Sequence, residues 1–114
     1  MVLRIRSDAH VVQYLLGNKF GCNIKTEAPA LLREARNLNL NVVGICFHVG
    51  SGCAEFEAFR RSIKAASELM ELGKQFGFHM RLLDIGGGFD GTNNSSFDEV
   101  YWQLILYRSG TYNI

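Results

Sequence analysis

Two stretches hold the residues that could do chemistry. "FHVGSGC", Phe47 to Cys53, places one histidine, His48, after an apolar run and just before glycines on both sides of Ser51. "LLDIGGGFDG" repeats the design, with apolar residues first and then Gly86, Gly87 and Gly88. Consecutive glycines let backbone N–H groups come close to an oxyanion because no Cβ intervenes, and a serine hydroxyl on a neighbouring strand end adds a donor. An imidazole on the same rim can lie flat against an aromatic ring. Together these residues make a seat for a phosphorylated aromatic group.

Other readings of the same residues stand beside this one. His48 fits a core histidine with its hydrogen bonds satisfied, and the glycines fit strand-to-helix turns that need positive φ. "GGGFDG" also matches G-x-G-x-x-G at Gly86, Gly88 and Gly91. That dinucleotide motif requires a helix to open at once and an acid about 20 positions on. Here "TNNSS" follows, and the later region reads "LYRSG" with no acid, so both tests fail. A zinc site can be drawn from Cys46, His48 and Cys53, but there is no C-x-x-C pair, and Cys46 and His48 would share one face of one strand. The expected metal content is none.

The elements that must position these loops alternate along the chain. "MVLRI" reads as a short strand. "EAPALLREARNLNL" carries Ala28, Leu31, Leu32, Ala35 and Leu38 at helical spacing, with Thr26 as N-cap and Pro29 in the first turn. "NVVGICF" is continuous and rich in β-branched residues, as in a strand buried on both faces. Phe56, Phe59, Ile63, Ala66 and Met70 recur every three or four residues, which predicts a long amphipathic helix ended by Gly77. "MRLLDI" predicts a third strand. Strand, helix, strand, helix, strand is the rhythm of a parallel α/β sheet, doubly wound or closed into a barrel, and in both the ligands gather at the carboxyl ends of the strands. Both glycine loops fall there. The segment "RSDAHVVQYLLGNKFGCNIKT" after the first strand is a long loop too polar and irregular for a crossover turn, and such loops are often functional.

Composition narrows the function classes. The 114 residues are 47% hydrophobic with a net charge of +1, which is ordinary for a globular chain and gives no basic field for nucleic acid. Apolar runs fall short of the roughly 18 residues of a membrane span, and "MVLRIRSDAH" lacks the apolar core of a signal peptide. A cytoplasmic location without membrane or nucleic-acid partners is the expectation. Cys22, Cys46 and Cys53 are odd in number and lie on or beside apolar segments, as reduced thiols do.

In this order and spacing, "MVLRI", "NKFG", "FHVGSGC" and "DIGGGF" resemble the eukaryotic ornithine decarboxylases, members of the pyridoxal-phosphate-dependent, alanine-racemase-like barrel family. The likeness runs from Met1 to about Glu99. It implies pyridoxal 5'-phosphate as cofactor, with His48 stacked on its ring as the catalytic-site residue. It further implies Ser51 as a hydrogen-bonding partner and Gly86, Gly87 and Gly88 as the phosphate loop. Arg4 matches an arginine close to the site, and Lys19 of "NKFG" a lysine that pairs across the family's dimer interface. The related diaminopimelate and arginine decarboxylases share the glycine triplet but usually differ after the histidine, so "HVGSGC" favours the ornithine type, with lysine and arginine still open as substrates because the family's residues for the distal amine lie outside these 114.

The same resemblance shows what the 114 residues do not carry. The family's Schiff-base lysine motif, like "PFYAVKCN", is absent, and so are "EPGRYY" and the cysteine loop contributed by the partner subunit. None of Lys19, Lys25, Lys64 or Lys74 sits in such a motif. The expected fold is therefore part of a (β/α)8 TIM-type barrel, about three strand-helix units, incomplete at both ends. Residues 1–99 would form the central part of the barrel domain and residues 100–114 a divergent tail. By itself the chain is expected to be inactive, with an open sheet edge that invites aggregation. The complete protein is expected to be a homodimeric decarboxylase that makes putrescine, with any antizyme binding through regions elsewhere. A catalytically silent binding protein of the same fold, like the antizyme inhibitors, is the alternative; their counterparts of "HVGSGC" are typically degraded, whereas here the stretch is intact.

Overall fold

The structure, a computed structural model, describes residues 1–7, 20–49 and 56–87. Its elements follow the order β1 (Val2–Arg4), α1 (Ala28–Asn37), β2 (Gly44–Cys46), α2 (Phe56–Gln75) and β3 (Leu82–Asp84). The strands form one sheet in the order β1-β2-β3, with both pairings parallel. The registers Val2↔Gly44↔Leu82 and Arg4↔Cys46↔Asp84 put corresponding residues in rows across the sheet. The strands are shorter than their apolar runs, but the ladder continues past them: the Phe47 N–H donates to the Asp84 carbonyl at 3.0 Å, and the Ile5 N–H to the Cys46 carbonyl at 2.9 Å.

Side chains alternate between the two faces of each strand, and among the described residues the helices pack against one of these faces. Ile5, Ile45, Phe47 and Val49 point into a core shared with Ala28, Leu32 and Ala35 of α1 and Phe59, Ile63, Ala66 and Met70 of α2. The opposite face carries Arg4, Cys46, His48, Asp84 and Gly86. There Cys46 and His48 are half-buried, and Arg4 and Asp84 are exposed. Along the continuous run of β2, Val42 and Gly44 on one face and Ile45 and Phe47 on the other are buried, and no residue from Val42 to Val49 is exposed, as expected for a strand shielded on both faces. α1 differs from its spacing pattern. Ala28, Leu32 and Ala35 are buried, while Leu31 and Leu38 are exposed on the helix flank.

Local chemistry sets the helix ends. Before α1, the Asn23 side-chain oxygen accepts from the Lys25 and Thr26 N–H groups at 2.9 Å each, and the Asn23 carbonyl accepts from Glu27 and Ala28. The Glu27 carboxylate returns the bond by accepting from the Asn23 N–H at 2.6 Å. Asn23 therefore organises this entry, not Thr26. Both helices end in the same closure. Asn39 (φ 56) donates to Arg36 and Leu40 to Ala35; Gly77 (φ 92) donates to Lys74 and Phe78 to Gly73. This is the Schellman pattern, whose left-handed residue is supplied here once by Asn and once by Gly. A buried hydroxyl pair, Ser7 Oγ to Ser62 Oγ at 3.0 Å, ties the end of β1 to α2. The tail 100–114 lies outside the described residues, and among those described no helix is long and apolar enough to cross a membrane.

Candidate functional site

The carboxyl ends of β2 and β3 bring two of the loops together. His48 lies two residues past β2 on the face opposite the helices, and Gly86 lies two residues past β3 in the neighbouring position. A Cβ on Gly86 would sit 2.5 Å from the Phe47 carbonyl oxygen and 2.9 Å from Cδ2 of His48, distances no side chain could take up. Gly86 is also left-handed, at φ 66. A Cβ on Gly87 would stand 3.1 Å from Nε2 of His48. Gly86 is therefore required here by close approach as well as by backbone conformation, whereas a side chain at Gly87 would only crowd the imidazole. The imidazole packs against the start of the glycine loop. This arrangement joins a flat ring to the glycine backbone at the end of β3.

One residue of this site carried no signal in the reading of single motifs. Asp84 Oδ1 accepts the Gly86 N–H at 2.8 Å, an Asx turn in which a carboxylate bonds its own backbone two residues on. The aspartate-any-glycine pattern before a left-handed residue is the signal that would have found it. Asp84 therefore occupies the Gly86 N–H.

One row further into the sheet, Arg4, Cys46 and Asp84 stand side by side. Burial pushes the Cys46 thiol above its ordinary value of 9.0, and the Asp84 carboxylate pushes it the same way, against the opposing pull of Arg4. The Cys22 thiol is raised as well, first by burial and further by Glu27. Both are free thiols, protonated at neutral pH. Among the described residues no cluster of three or more His, Cys, Asp or Glu could hold a metal. Arg4 lies over the Phe20 ring, 5.4 Å from its centroid. Arg6 donates to the Gly21 carbonyl at 3.2 Å, and Cys22 bridges to Ile5 in parallel. Gly21 and Cys22 thus lie along the sheet edge beside β1. Of the anticipated site residues, His48, Gly86 and Gly87 come together. Ser51, Gly88, Lys19 and Cys53 lie outside the described residues.

Comparison with known proteins places these features in a wider set. The family model for the pyridoxal-dependent decarboxylases, pyridoxal binding domain, matches residues 1–108. The chain is 48% identical over 95 residues to an ornithine decarboxylase of Panagrellus redivivus, covering 83% of this chain and 22% of that protein. It is 44% identical over 102 residues to antizyme inhibitor 2 of Xenopus laevis, covering 88% and 22%. Among solved structures it resembles the arginine decarboxylase of Paramecium bursaria Chlorella virus, with a TM-score of 0.89 and 37% identity over 96% of this chain and 30% of that one. The chain thus spans less than a quarter of the curated relatives named here.

Proposed function

Since the chain belongs to the pyridoxal-dependent decarboxylases, through the pyridoxal-binding domain that its residues match, we propose that it forms the cofactor-holding segment of an ornithine decarboxylase. Pyridoxal phosphate is the cofactor of this family. The observation that carries the reading is the His48 ring packed against Gly86 and Gly87, a cradle that any Cβ would fill. On this reading the three parallel strands are consecutive staves of a (β/α)8 barrel, and their face opposite the helices is its interior.

The chain's own residues divide the work of binding. His48 offers an aromatic face to the cofactor ring and limits its tilt. The N–H groups of Gly87 and Gly88 would hold the phosphate, and Ser51 would add a hydroxyl. When bound, pyridoxal phosphate supplies the electron-withdrawing ring that stabilises the charge left at the α-carbon as carbon dioxide departs. Holding ring and phosphate in a fixed orientation is the contribution of this segment to the rate. The complete protein is read as a cytoplasmic homodimer that converts ornithine to putrescine.

The test uses the protein expressed from its full reading frame. Carbon dioxide release from ornithine in excess of lysine and arginine, with pyridoxal phosphate bound at one site per chain, is the expected result. The likeness to antizyme inhibitor 2 supports a second reading, a non-catalytic protein that binds antizyme. Antizyme binding without cofactor binding or carbon dioxide release would establish it and remove the first.

A further inference from the structure

Asp84 is tied to the site from two sides. Its main-chain carbonyl accepts the Phe47 N–H at 3.0 Å, the last described rung between β2 and β3 and the one next to His48. Its side chain accepts the Gly86 N–H at 2.8 Å. The first bond fixes how far β3 runs beside β2, and the second fixes how the chain turns when it leaves β3. That turn brings Gly86 under the Phe47 carbonyl and Gly87 against Nε2 of His48. Neither a reactive nor a charge-pairing role accounts for the placement as directly. The Asp84 carboxylate is turned back onto its own backbone, and Arg4 in the same row is directed at the Phe20 ring.

We propose that Asp84 is a positioning residue for the anion seat: by accepting the Gly86 N–H it holds that glycine left-handed, so that the chain enters the seat at Gly87 beside the His48 ring. Gly86 then serves as the hinge of the seat and not as one of its donors. The inference rests on the reading of this site as a pyridoxal phosphate cradle. The hydrogen bond from Gly86 to Asp84 is a property of the protein without any ligand and can be tested apart from it.

The experiment compares Asp84→Ala, which removes the acceptor, with Asp84→Asn, whose carbonyl can still accept. Both are made in the protein expressed from its full reading frame. In cofactor-free protein, exchange of the Gly86 amide is expected to quicken by about tenfold or more in Asp84→Ala and to stay near the parent rate in Asp84→Asn. The dissociation constant for pyridoxal phosphate is expected to rise by about tenfold in the alanine variant and by less than about threefold in the asparagine variant. Pyridoxal, which lacks the phosphate, should lose less than about threefold in either. Unchanged exchange and unchanged phosphate-ligand binding in Asp84→Ala would overturn the proposal. Equal losses for both ligands would overturn it in favour of a general structural role, and an asparagine variant as damaged as the alanine one would overturn it in favour of charge. A parent protein that binds pyridoxal phosphate no better than pyridoxal would overturn the cofactor reading instead, a failure the exchange measurement does not share.

Discussion

On the proposed reading the His48 imidazole, which lies against Gly87, is both a ligand surface and a neighbour of the loop. Loss of the ring removes one stacking partner, about 0.5–1.5 kcal/mol for an aromatic pair. His48→Ala should therefore weaken pyridoxal phosphate binding by about three- to tenfold, measured by fluorescence titration, while the melting temperature changes little. A core histidine would give the opposite result, with lost stability and unchanged binding. Cys46 makes a separate prediction. Its folded-state pKa is raised, chiefly by burial, so the thiol ionises first in the unfolded chain, near its ordinary value of 9.0. The stability it contributes is complete below that pH and is lost as pH rises through the folded value. The gap in urea stability between the parent and Cys46→Ser should therefore shift against the parent above about pH 9; a gap that is flat with pH would contradict this. His48 and the glycines were legible in the sequence because they follow apolar strands directly. Asp84 was not, because a hydrogen bond to one's own backbone leaves only a two-residue spacing as its trace.

At the scale of elements, Gly44 sets how closely β2 and β3 approach. A Cβ there would lie 2.0 Å from the Leu82 carbonyl oxygen, and that obstacle is backbone, which cannot rotate away. Gly44→Ala is expected to cost about 3 kcal/mol in denaturant melts, and a loss below about 1 kcal/mol would show that the strands can separate without penalty. The spacing of Phe59, Ile63, Ala66 and Met70 predicted the buried stripe of α2, and Gly77 its end. The same kind of pattern overstated α1, since a period identifies a face but not the width that neighbours will cover. Leu31 and Leu38 fall at its margin and line a groove of about 210 Å³ with Met1, Leu3 and Leu40. The Asn23 cap was hidden because its carboxamide acts before the helix begins, inside a segment that reads as irregular.

For the molecule as a whole, the alternation of strands and helices was legible as a parallel sheet, whereas which face the helices cover depends on contacts that no local pattern encodes. The 114-residue chain taken alone carries His48, Gly86 and Gly87 and no stretch like "PFYAVKCN". It is expected to release no carbon dioxide from ornithine, and borohydride treatment with pyridoxal phosphate should leave no single lysine stoichiometrically labelled. Turnover with one labelled lysine would contradict this. The register of the sheet also governs how it can assemble in time. Val2 meets Gly44 and Gly44 meets Leu82, so each ladder closes a stretch of about forty residues, and the two closures carry nearly equal entropy. Neither outer strand has a head start on the other, and β2 is the shared member of both pairs. Refolding should therefore await β2: substitutions at Ile45, at the centre of the sheet, should slow the approach to the native state, whereas substitutions at Leu3 or Leu83 should mainly hasten its loss.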